Sequence, residues 1–195
     1  MDYFTSDPHF CHDRDFVYVP RGFKSVTEMN EAIIKNINDK VSWNDNLYIL
    51  GDIMLGQNTD EGIMCLSRLQ GNKFIILGNH DTDAKVELIK KVPNVTILGL
   101  ASLYKYGGRK FYLSHYPTCT ENFSIEKNSG KMKFTKPLGK QTVNLSGHTH
   151  SDKLWDERTF SYNVSLNAHN NYPVSIEEII EDCRQFYMKN NIFNS

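Results

Sequence analysis

Two kinds of hydrophobic pattern alternate along the chain. Short apolar runs that end abruptly in polar residues predict strands over 3–6, 46–52, 72–81, 94–99, 109–117, 141–150 and 160–168. Apolar residues at helical spacing predict helices over 25–41, 61–69 and 82–91, and a last helix that begins at Pro173. This alternation is typical of an α/β fold. The later strands have no helices between them, which predicts that part of the sheet is antiparallel or mixed.

Local sequence adds detail to three of these elements. Ser25 or Thr27 can cap the first helix, and Ser175 can cap the last one, because their side-chain oxygens can accept from free backbone amides. The strand over 160–168 alternates apolar and polar residues as an exposed or edge strand does.

Length, charge and cysteine content narrow the class of protein. At 195 residues the chain can bury a core of its own, so we expect a single domain over 1–195. The formal net charge of -1 excludes a global basic field that recruits nucleic acid or anionic membrane, although a local basic patch stays open. The four cysteines are widely spread, which predicts reduced thiols and neither a disulfide framework nor a zinc finger. Without a secretory leader or a long apolar run, we expect a cytoplasmic protein with no membrane partner.

Five predicted strands end in polar residues that can bind a metal or a phosphate. These endings are SDPH at 6–9, GD at 51–52, GNHD at 78–81, SH at 114–115 and GHTH at 147–150. Six of the seven histidines fall at or near them, and His169 is the exception. In open α/β sheets ligands bind at the carboxyl ends of strands, so five such endings on one edge would build a single site.

Each motif taken alone has an ordinary structural explanation. The cluster around Asp7 and His9 could be a solvated turn or a helix N-terminus, and single histidines are often packed in a core. GNHD is more specific, because three polar side chains directly after a buried strand waste hydrogen-bonding capacity unless something binds there. The combination of all five endings in this order favours a shared site.

Together these motifs resemble the metallophosphoesterase (calcineurin-like phosphoesterase) superfamily, over nearly the whole chain. HFCH at 9–12, SVTEMNEAIIKNIN at 25–38 and YPVSIEEI at 172–179 further resemble a compact bacterial and phage-type branch. The resemblance implies a four-layer αββα sandwich, in which two mixed β-sheets are flanked by helices. The predicted alternation of strands and helices is compatible with that fold.

The resemblance also implies a centre of two divalent metal ions. The ligands of one ion would be Asp7, His9, Asp52 and His150. The ligands of the other would be Asp52, Asn79, His115 and His148. A bridging carboxylate, here Asp52, suits the separation of about 3.5–4 Å found in two-metal hydrolases. These oxygen and nitrogen ligands suit Mn²⁺, Fe, Zn²⁺, Co²⁺ or Ni²⁺ better than Ca²⁺, and we expect Mn²⁺.

Four further residues take roles from the resemblance. His80 would be the general acid or a phosphate contact that helps the leaving oxygen depart, and a purely supporting histidine is the alternative. Asp81 would orient His80 or raise its pKa through a direct carboxylate–imidazole contact. His12 and Arg21 would lie at the metal edge, where Arg21 could bind phosphate bidentately. For these two, a surface or helix-start role is the alternative.

The implied function is a metal-dependent phosphoric ester hydrolase. We expect a metal-bridging hydroxide to attack a small or nucleotide-derived phosphodiester, with a monoester as the alternative substrate. A nuclease for single-stranded DNA or RNA ends is a second hypothesis, against which the near-neutral charge speaks mildly. The third is a catalytically silent binding scaffold with the same fold. The sequence leaves the oligomeric state open.

Residues 118–140 differ in composition from the rest of the chain. The segment is polar and rich in lysine, which predicts a surface loop that is long for a compact domain. We expect it to cover the site as a lid, where Lys131, Lys133 or Lys136 meets an anionic substrate. A solvated basic loop is the alternative.

Overall fold

The computed structural model of the chain describes residues 1–56, 58–118, 142–156, 159 and 161–189. Its strands are β1 (Asp2–Thr5), β2 (Asn46–Leu50), β3 (Asn72–Ile76), β4 (Val95–Gly99), β5 (Ala101–Tyr106), β6 (Arg109–Ser114), β7 (Thr142–Ser146), β8 (Tyr162–Asn163) and β9 (Val174–Ser175). Its helices are α1 (Asp15–Tyr18), α2 (Val26–Lys40), α3 (Thr59–Ser67), α4 (Asp83–Ile89) and α5 (Ile176–Lys189).

The strands form two mixed sheets. The five-stranded sheet has the order β4-β3-β2-β1-β9, in which β1 to β4 are parallel and β9 is antiparallel to β1. The four-stranded sheet has the order β5-β6-β7-β8, with β5 antiparallel to β6 and the other two pairs parallel. The predicted α/β fold with two mixed sheets is therefore confirmed.

A parallel bridge between Ser6 and Ser165 joins the two sheets just beyond β1 and β8. Because β8 is parallel to β7, and β7 to β6, these strands run in the same direction as β1 where the sheets meet. β2 and β3 are in turn parallel to β1. The carboxyl ends of five strands therefore meet at one edge of the molecule.

The first core lies between the five-stranded sheet and α2, α3 and α4. Met29, Ile33 and Ile37 of α2 are spaced by one helical turn and are fully buried in the same cluster as Leu47 and Ile49 of β2. The helix begins as a capping box predicts. Its Ser25 hydroxyl accepts from the Glu28 amide at 3.1 Å, so Ser25 and not Thr27 is the cap.

The second core lies on the other face of the five-stranded sheet. Leu50 of β2 follows Ile49 directly but is buried against the four-stranded sheet, in one cluster with Phe111 and Leu145. Ile179 of α5 completes this cluster. A sheet whose successive residues are buried on opposite faces lies between other layers, which places β2 and β3 at the centre of the sandwich.

The sequence analysis assigned no element to 101–106, which form β5. The strand pairs with β6 through a two-residue turn at Gly107 and Gly108, where φ is 53° and 77°. Both residues of such a turn need a positive φ, which glycine adopts without a penalty. Tyr104 is the one buried residue of β5, so the strand lacks the apolar alternation that reveals most strands. The Gly-Gly pair, which is typical of a two-residue hairpin turn, is the feature of the sequence that could have predicted β5.

The segment 160–168 was predicted as an exposed or edge strand. β8 lies at the edge of its sheet, which confirms the second alternative, whereas residues 161–166 are buried, which rules out the first. The loop before β8 covers it: Trp155 packs edge-on against Tyr162, and the Asn163 amide donates to the Ser151 carbonyl at 3.0 Å.

The start of the last helix also differs from its prediction. Residues 174–175 form β9, and α5 begins at Ile176. Ser175 caps this helix as predicted, because its hydroxyl accepts from the Glu178 amide at 3.2 Å. None of the helices in the described part of the chain combines the length and apolarity that crossing a membrane requires.

Apart from Thr118, the loop predicted over 118–140 lies outside the described residues, and so do Lys131, Lys133 and Lys136.

Candidate metal centre

The polar side chains that follow the five parallel strands converge where the two sheets meet. Their backbone is unusual, because φ lies between 49° and 69° at Asp7, His9, Asp52, His148 and His150. This left-handed conformation costs a residue with a Cβ on the order of 1 kcal/mol or more. Strain repeated at five positions of one site indicates that the fold holds these side chains in fixed orientations at a cost in stability.

The first donor group consists of Asp7, His9 and His150. The Nε2 atoms of His9 and His150 lie 3.1 Å apart. Asp7 Oδ1 lies 3.7 Å from the first of these nitrogens and 3.8 Å from the second. Asp7 and His9 are buried, whereas the His150 side chain is 39% exposed, so the group opens to solvent on one side.

The second donor group consists of Asp52, Asn79, His115 and His148. His115 Nε2 lies 3.0 Å from Asn79 Oδ1, 3.2 Å from His148 Nδ1 and 3.4 Å from Asp52 Oδ2. The other ring nitrogen of His115 lies 2.8 Å from the Leu50 carbonyl, to which it donates in the neutral ring. That hydrogen bond fixes the tautomer and leaves the Nε2 lone pair facing the other donors.

Asp52 faces both groups with one oxygen. Its Oδ2 atom lies 3.4 Å from His115 Nε2 and 3.7 Å from His9 Nε2. Its Oδ1 atom accepts from the backbone amide of His80 at 2.9 Å. One carboxylate oxygen is thus anchored to the backbone, and the other stands between two sets of donors.

Two glycines make room for the carboxylates. A Cβ on Gly147 would lie 2.0 Å from Ser6 Oγ and 2.2 Å from Asp7 Oδ2, and a Cβ on Gly78 would lie 2.3 Å from Asp52 Oδ1. Neither glycine has a left-handed φ. Space and not backbone conformation therefore requires glycine before His148 and before Asn79.

The donor atoms fit divalent metal ions. Asp7 Oδ1 is buried and has no hydrogen-bond donor among the described residues, which is a costly state for a carboxylate oxygen. Ligand atoms at about 2.0–2.2 Å from one ion lie about 2.8–3.6 Å from each other. The donor separations of 3.0 to 3.8 Å are close to that range. A cation in each group would satisfy lone pairs that otherwise face one another.

The electrostatic environment keeps both carboxylates charged. Burial alone raises the pKa of Asp7, but its contact with His9 and the charge of His115 lower that pKa to about 2. The pKa of Asp52 is also lowered: burial raises it, and hydrogen bonds from His115 and from the His80 amide outweigh the burial. Ionised carboxylates are the form that binds metal.

The histidines divide into two kinds. Burial lowers the pKa of His150 to about 4, and it lowers the pKa of His148 below its usual value. Burial also lowers the pKa of His115, but Asp52 and Asp7 overcome this and raise it above its usual value. The acidic neighbours that favour a proton on His115 also favour a cation in the second donor group. Either positive charge would reduce the repulsion among the lone pairs that face one another there.

Comparison with known proteins identifies the family. Residues 3–191 match the family model of the calcineurin-like phosphoesterases. The chain belongs to this family. It is 32% identical over 187 residues to the uncharacterised protein MJ1445 of Methanocaldococcus jannaschii, a match that covers 92% of this chain and 89% of the relative. The crystal structure of a protein of unknown function, AQ665 of Aquifex aeolicus, has the same fold: the TM-score is 0.65 at 24% identity, over 93% of this chain and 98% of that chain.

Family membership makes the chain a phosphoric ester hydrolase, and its two donor groups are candidate sites for divalent metal.

His80 of this phosphoesterase lies at the open side of the centre. Its side chain is 40% exposed, and its Nε2 atom lies 3.9 Å from Asp52 Oδ2. Its ring centroid is 5.8 Å from that of His9. His80 therefore faces both solvent and the oxygen that the two groups share.

Asp81 supports the backbone of the phosphoesterase site and not the His80 ring. Its carboxylate accepts from the amides of Gly78 at 2.8 Å, Asp52 at 2.9 Å and Ile53 at 3.1 Å. Both oxygens accept from backbone amides, and among the contacts of the described residues none joins Asp81 to the His80 ring, so the direct contact predicted from the sequence was wrong. Asp81 instead ties the end of β2 to the end of β3.

Arg21 is likewise a supporting residue. Its guanidinium is buried and donates to the carbonyls of Asp7 and Pro8, to Met29 Sδ, and twice to Asn167 Oδ1. These five bonds use all five N–H groups of an arginine, so none is left for a phosphate. The predicted bidentate contact with substrate was therefore wrong, because the side chain holds the turn that carries Asp7 and His9. Burial lowers the pKa of Arg21 to about 10, and the charge of Asp7 opposes this shift.

We expect Arg21→Lys to destabilise the protein by about 2–4 kcal/mol, because three ammonium donors cannot replace five guanidinium bonds in a buried site. Chemical denaturation measures this. The control is Arg184→Lys, an exposed residue of α5, which we expect to change stability by less than about 0.5 kcal/mol. A loss for Arg21→Lys no larger than that of the control would contradict the supporting role.

His12 lies beside the first donor group. Its ring centroid is 5.3 Å from that of His9 and 5.6 Å from that of Phe16. Burial, reinforced by the charges of His9 and His80, lowers the pKa of His12 to about 4, so the ring is neutral at neutral pH. The structure thus places His12 at the rim, and its contact with substrate stays a prediction.

Sequence analysis missed two residues that hold the site. The Ser6 hydroxyl lies 2.6 Å from Asp7 Oδ2 and 2.7 Å from the Leu50 carbonyl, so it holds the Asp7 carboxylate by the oxygen opposite the unpaired Oδ1. Asn167 anchors Arg21. Ser6 could have been predicted to support the site, because it directly precedes Asp7 in the sequence. Asn167 could not, because its partner Arg21 is 146 residues away.

Proposed function

We propose that this phosphoesterase hydrolyses a phosphodiester of a small or nucleotide-derived alcohol with two divalent cations, preferably Mn²⁺. The observation that carries the proposal is the position of Asp52 Oδ2, at 3.4 Å from His115 Nε2 and 3.7 Å from His9 Nε2. A single carboxylate oxygen between two donor groups is what a pair of bridged cations requires. When bound, the two cations would supply an activated water molecule and neutralise charge on the phosphoryl oxygens.

Each donor group has a defined task in this proposal. One cation would be held by Asp7, His9, Asp52 and His150, and the other by Asp52, Asn79, His115 and His148. The mixture of oxygen and imidazole ligands supports Mn²⁺ and the later first-row metals over Ca²⁺. The hydrogen bond from His115 to the Leu50 carbonyl supports this assignment, because it presents Nε2 as the ligand atom.

His80 would donate the proton that the leaving oxygen takes up. Its imidazole is an accessible titratable group beside Asp52, with Nε2 at 3.9 Å from Oδ2, and its backbone amide donates to the same carboxylate. Phosphate bound against Asp52 would therefore lie within reach of His80.

The charges near the centre support a diester over a monoester. Arg21 uses all of its donors inside the fold, and Lys85 donates to the Met54 and His80 carbonyls, both at 2.9 Å. A monoester dianion carries one more negative charge than a diester at neutral pH and needs more cationic partners. Arg21 and Lys85 instead donate to acceptors of the fold itself.

Hydrolysis of bis-p-nitrophenyl phosphate tests the proposal. Protein stripped with a chelator should be inactive, should regain activity with Mn²⁺ and not with Ca²⁺, and should bind two metal ions per chain by elemental analysis. p-Nitrophenyl phosphate, the matched monoester, should be hydrolysed more slowly. Absence of diester hydrolysis with Mn²⁺, Fe²⁺, Zn²⁺, Co²⁺ and Ni²⁺ would overturn the proposal.

We expect His80→Asn to separate substrates by their leaving group. A proton donor matters most when the leaving oxygen is basic, so kcat should fall about 30- to 100-fold for a dialkyl-type diester such as a dinucleotide. For bis-p-nitrophenyl phosphate, whose phenolate leaves without a proton, the loss should be less than about fivefold. Equal losses on both substrates would assign His80 to phosphate binding instead of proton donation.

A further inference from the structure

An exposed phenyl ring stands at the edge of the first donor group. Phe16, on α1, is 72% exposed, so very little of its apolar surface is buried by the fold. Its ring packs edge-on against His12 at 5.6 Å, and His12 in turn lies 5.3 Å from His9. The ring is thus held one imidazole away from the centre with most of its surface open.

A second exposed ring stands at the edge of the second donor group. Tyr116 is 50% exposed, and its ring centroid lies 4.5 Å from that of His148 and 5.1 Å from that of His115. Its backbone is fixed, because the Tyr116 carbonyl accepts from Ser114 Oγ at 2.7 Å and from Thr118 Oγ1 at 3.1 Å. A fixed backbone keeps the ring beside the metal ligands.

Placement distinguishes these rings from ordinary exposed apolar residues. Single exposed apolar side chains are normal on a protein surface. Among those of the described residues, Tyr116 has a ring that contacts two histidines of the centre, and Phe16 has a ring that contacts His12 at its rim. Trp43 is 69% exposed as well, but it lies just before β2, at the opposite end of the sheet.

We propose that Phe16 and Tyr116 are the stacking surfaces for the bases on the two sides of the scissile phosphate, so that the substrate is a nucleotide phosphodiester. Stacking on an aromatic ring binds any base, because every base has a π-face. The proposal rests on the proposed phosphodiesterase activity and names the substrate class for it.

Two chromogenic diesters with one leaving group test the stacking. Thymidine 5′-(p-nitrophenyl phosphate) and methyl p-nitrophenyl phosphate both release p-nitrophenolate, and they differ in whether a base is present. The wild type should prefer the thymidine ester by at least about tenfold in kcat/KM. One of the variants Phe16→Ala and Tyr116→Ala should abolish this preference. The other, which faces the leaving group, should lower both rates equally.

Conservative variants separate stacking from a structural effect. Phe16→Tyr and Tyr116→Phe keep a ring and should keep the preference, whereas Phe16→Leu and Tyr116→Leu keep apolar bulk without a ring and should behave as the alanine variants do. Trp43→Ala should leave both rates unchanged. Calorimetric binding of thymidine 5′-monophosphate gives a readout without turnover, and it should weaken at least about fivefold in the alanine variant that loses the preference.

The outcomes separate this proposal from the proposed function. Equal kcat/KM for the two diesters in the wild type, or a preference that survives in the Phe16→Ala/Tyr116→Ala double variant, overturns the stacking proposal and leaves the phosphodiesterase activity standing. Hydrolysis of neither diester overturns both. A preference for the thymidine ester that the leucine variants retain also overturns it, because apolar bulk and not a ring would then be the cause.

Discussion

Asp52→Asn is expected to lower the kcat for diester hydrolysis by at least about 1,000-fold, the largest loss of any single substitution in this chain. The new side chain keeps an Oδ1 that can accept from the His80 amide, as the carboxylate does at 2.9 Å. In place of Oδ2 it puts an amide nitrogen, which has no lone pair for a cation. Because Oδ2 faces His9 and His115, both donor groups lose a ligand at once.

Stability measurements distinguish this loss from unfolding. Asp7 and Asp52 repel each other across the metal-free centre, and this charge pair raises the pKa of Asp52 against its other contacts. The hydrogen bonds from His115 and from the His80 amide outweigh this repulsion and lower the pKa of Asp52 overall, so metal-free Asp52→Asn should melt somewhat below the wild type and still unfold cooperatively. Addition of Mn²⁺ should raise the Tm of the wild type and leave that of the variant unchanged. Asp39→Asn, an exposed residue of α2, is the matched control and should behave as the wild type in both assays.

A melting temperature of Asp52→Asn that still rises with Mn²⁺ as in the wild type would show that Asp52 does not bind the metal. Retained diester hydrolysis with two ions per chain would refute the bridging role altogether. Either result can be assigned to metal binding, because the substitution removes the negative charge and one oxygen ligand and keeps the shape of the side chain.

The sequence predicted which polar side chains come together, because the carboxyl ends of parallel strands lie at one edge of a sheet. Apolar runs with abrupt polar endings located β1, β2, β3, β6 and β7, and parallel pairing brings their carboxyl ends to one edge. Asn79 and His115 meet at 3.0 Å although 36 residues separate them. The same reasoning could not give the bridge at Ser6 and Ser165 that aligns the two sheets, because neither residue carries a pattern.

The direction in which a buried polar side chain points was not predictable. Arg21 and Asp81 have residue types that suit substrate contact, and both lie near the centre, yet both bond to the backbone. Buried backbone carbonyls and amides that no strand or helix satisfies need side-chain partners, and loops with left-handed residues leave many such groups. Residue type indicates chemistry at the site, whereas the loop conformation decides which polar residues are used to hold it.

Close packing around the carboxylates explains why the motifs have their glycines. Asp52, Asn79 and His148 each follow a glycine, and the chain turns sharply at these points to bring ligands from separate strands within about 4 Å. Close approach leaves no room for a Cβ at any of the three positions, and Gly51 has a left-handed φ of 88° as well. The glycines in GNHD and GHTH are therefore part of the metal centre in a steric sense, although they offer no ligand.

Gly147→Ala is expected to lower kcat by more than about 100-fold without removing any proposed ligand, because it displaces Asp7. The added Cβ would lie 2.0 Å from Ser6 Oγ and 2.2 Å from Asp7 Oδ2, where no side chain can remain. Ser6 cannot swing away freely, since its hydroxyl is bound to Asp7 Oδ2 and to the Leu50 carbonyl. Overpacking of this kind should also cost about 1–3 kcal/mol in the free energy of unfolding.

A second substitution separates the two clashes. In the Ser6→Gly/Gly147→Ala double variant the serine side chain is gone, so part of the lost stability should return in a denaturation experiment. Activity and Mn²⁺ affinity should not return, because the Cβ still collides with Asp7 Oδ2. Gly107→Asn, in the open turn between β5 and β6, is the control and should be near wild type, since asparagine tolerates the positive φ there. Recovery of hydrolysis in the double variant would place the damage at Ser6 and would show that the position of Asp7 is not what limits the reaction.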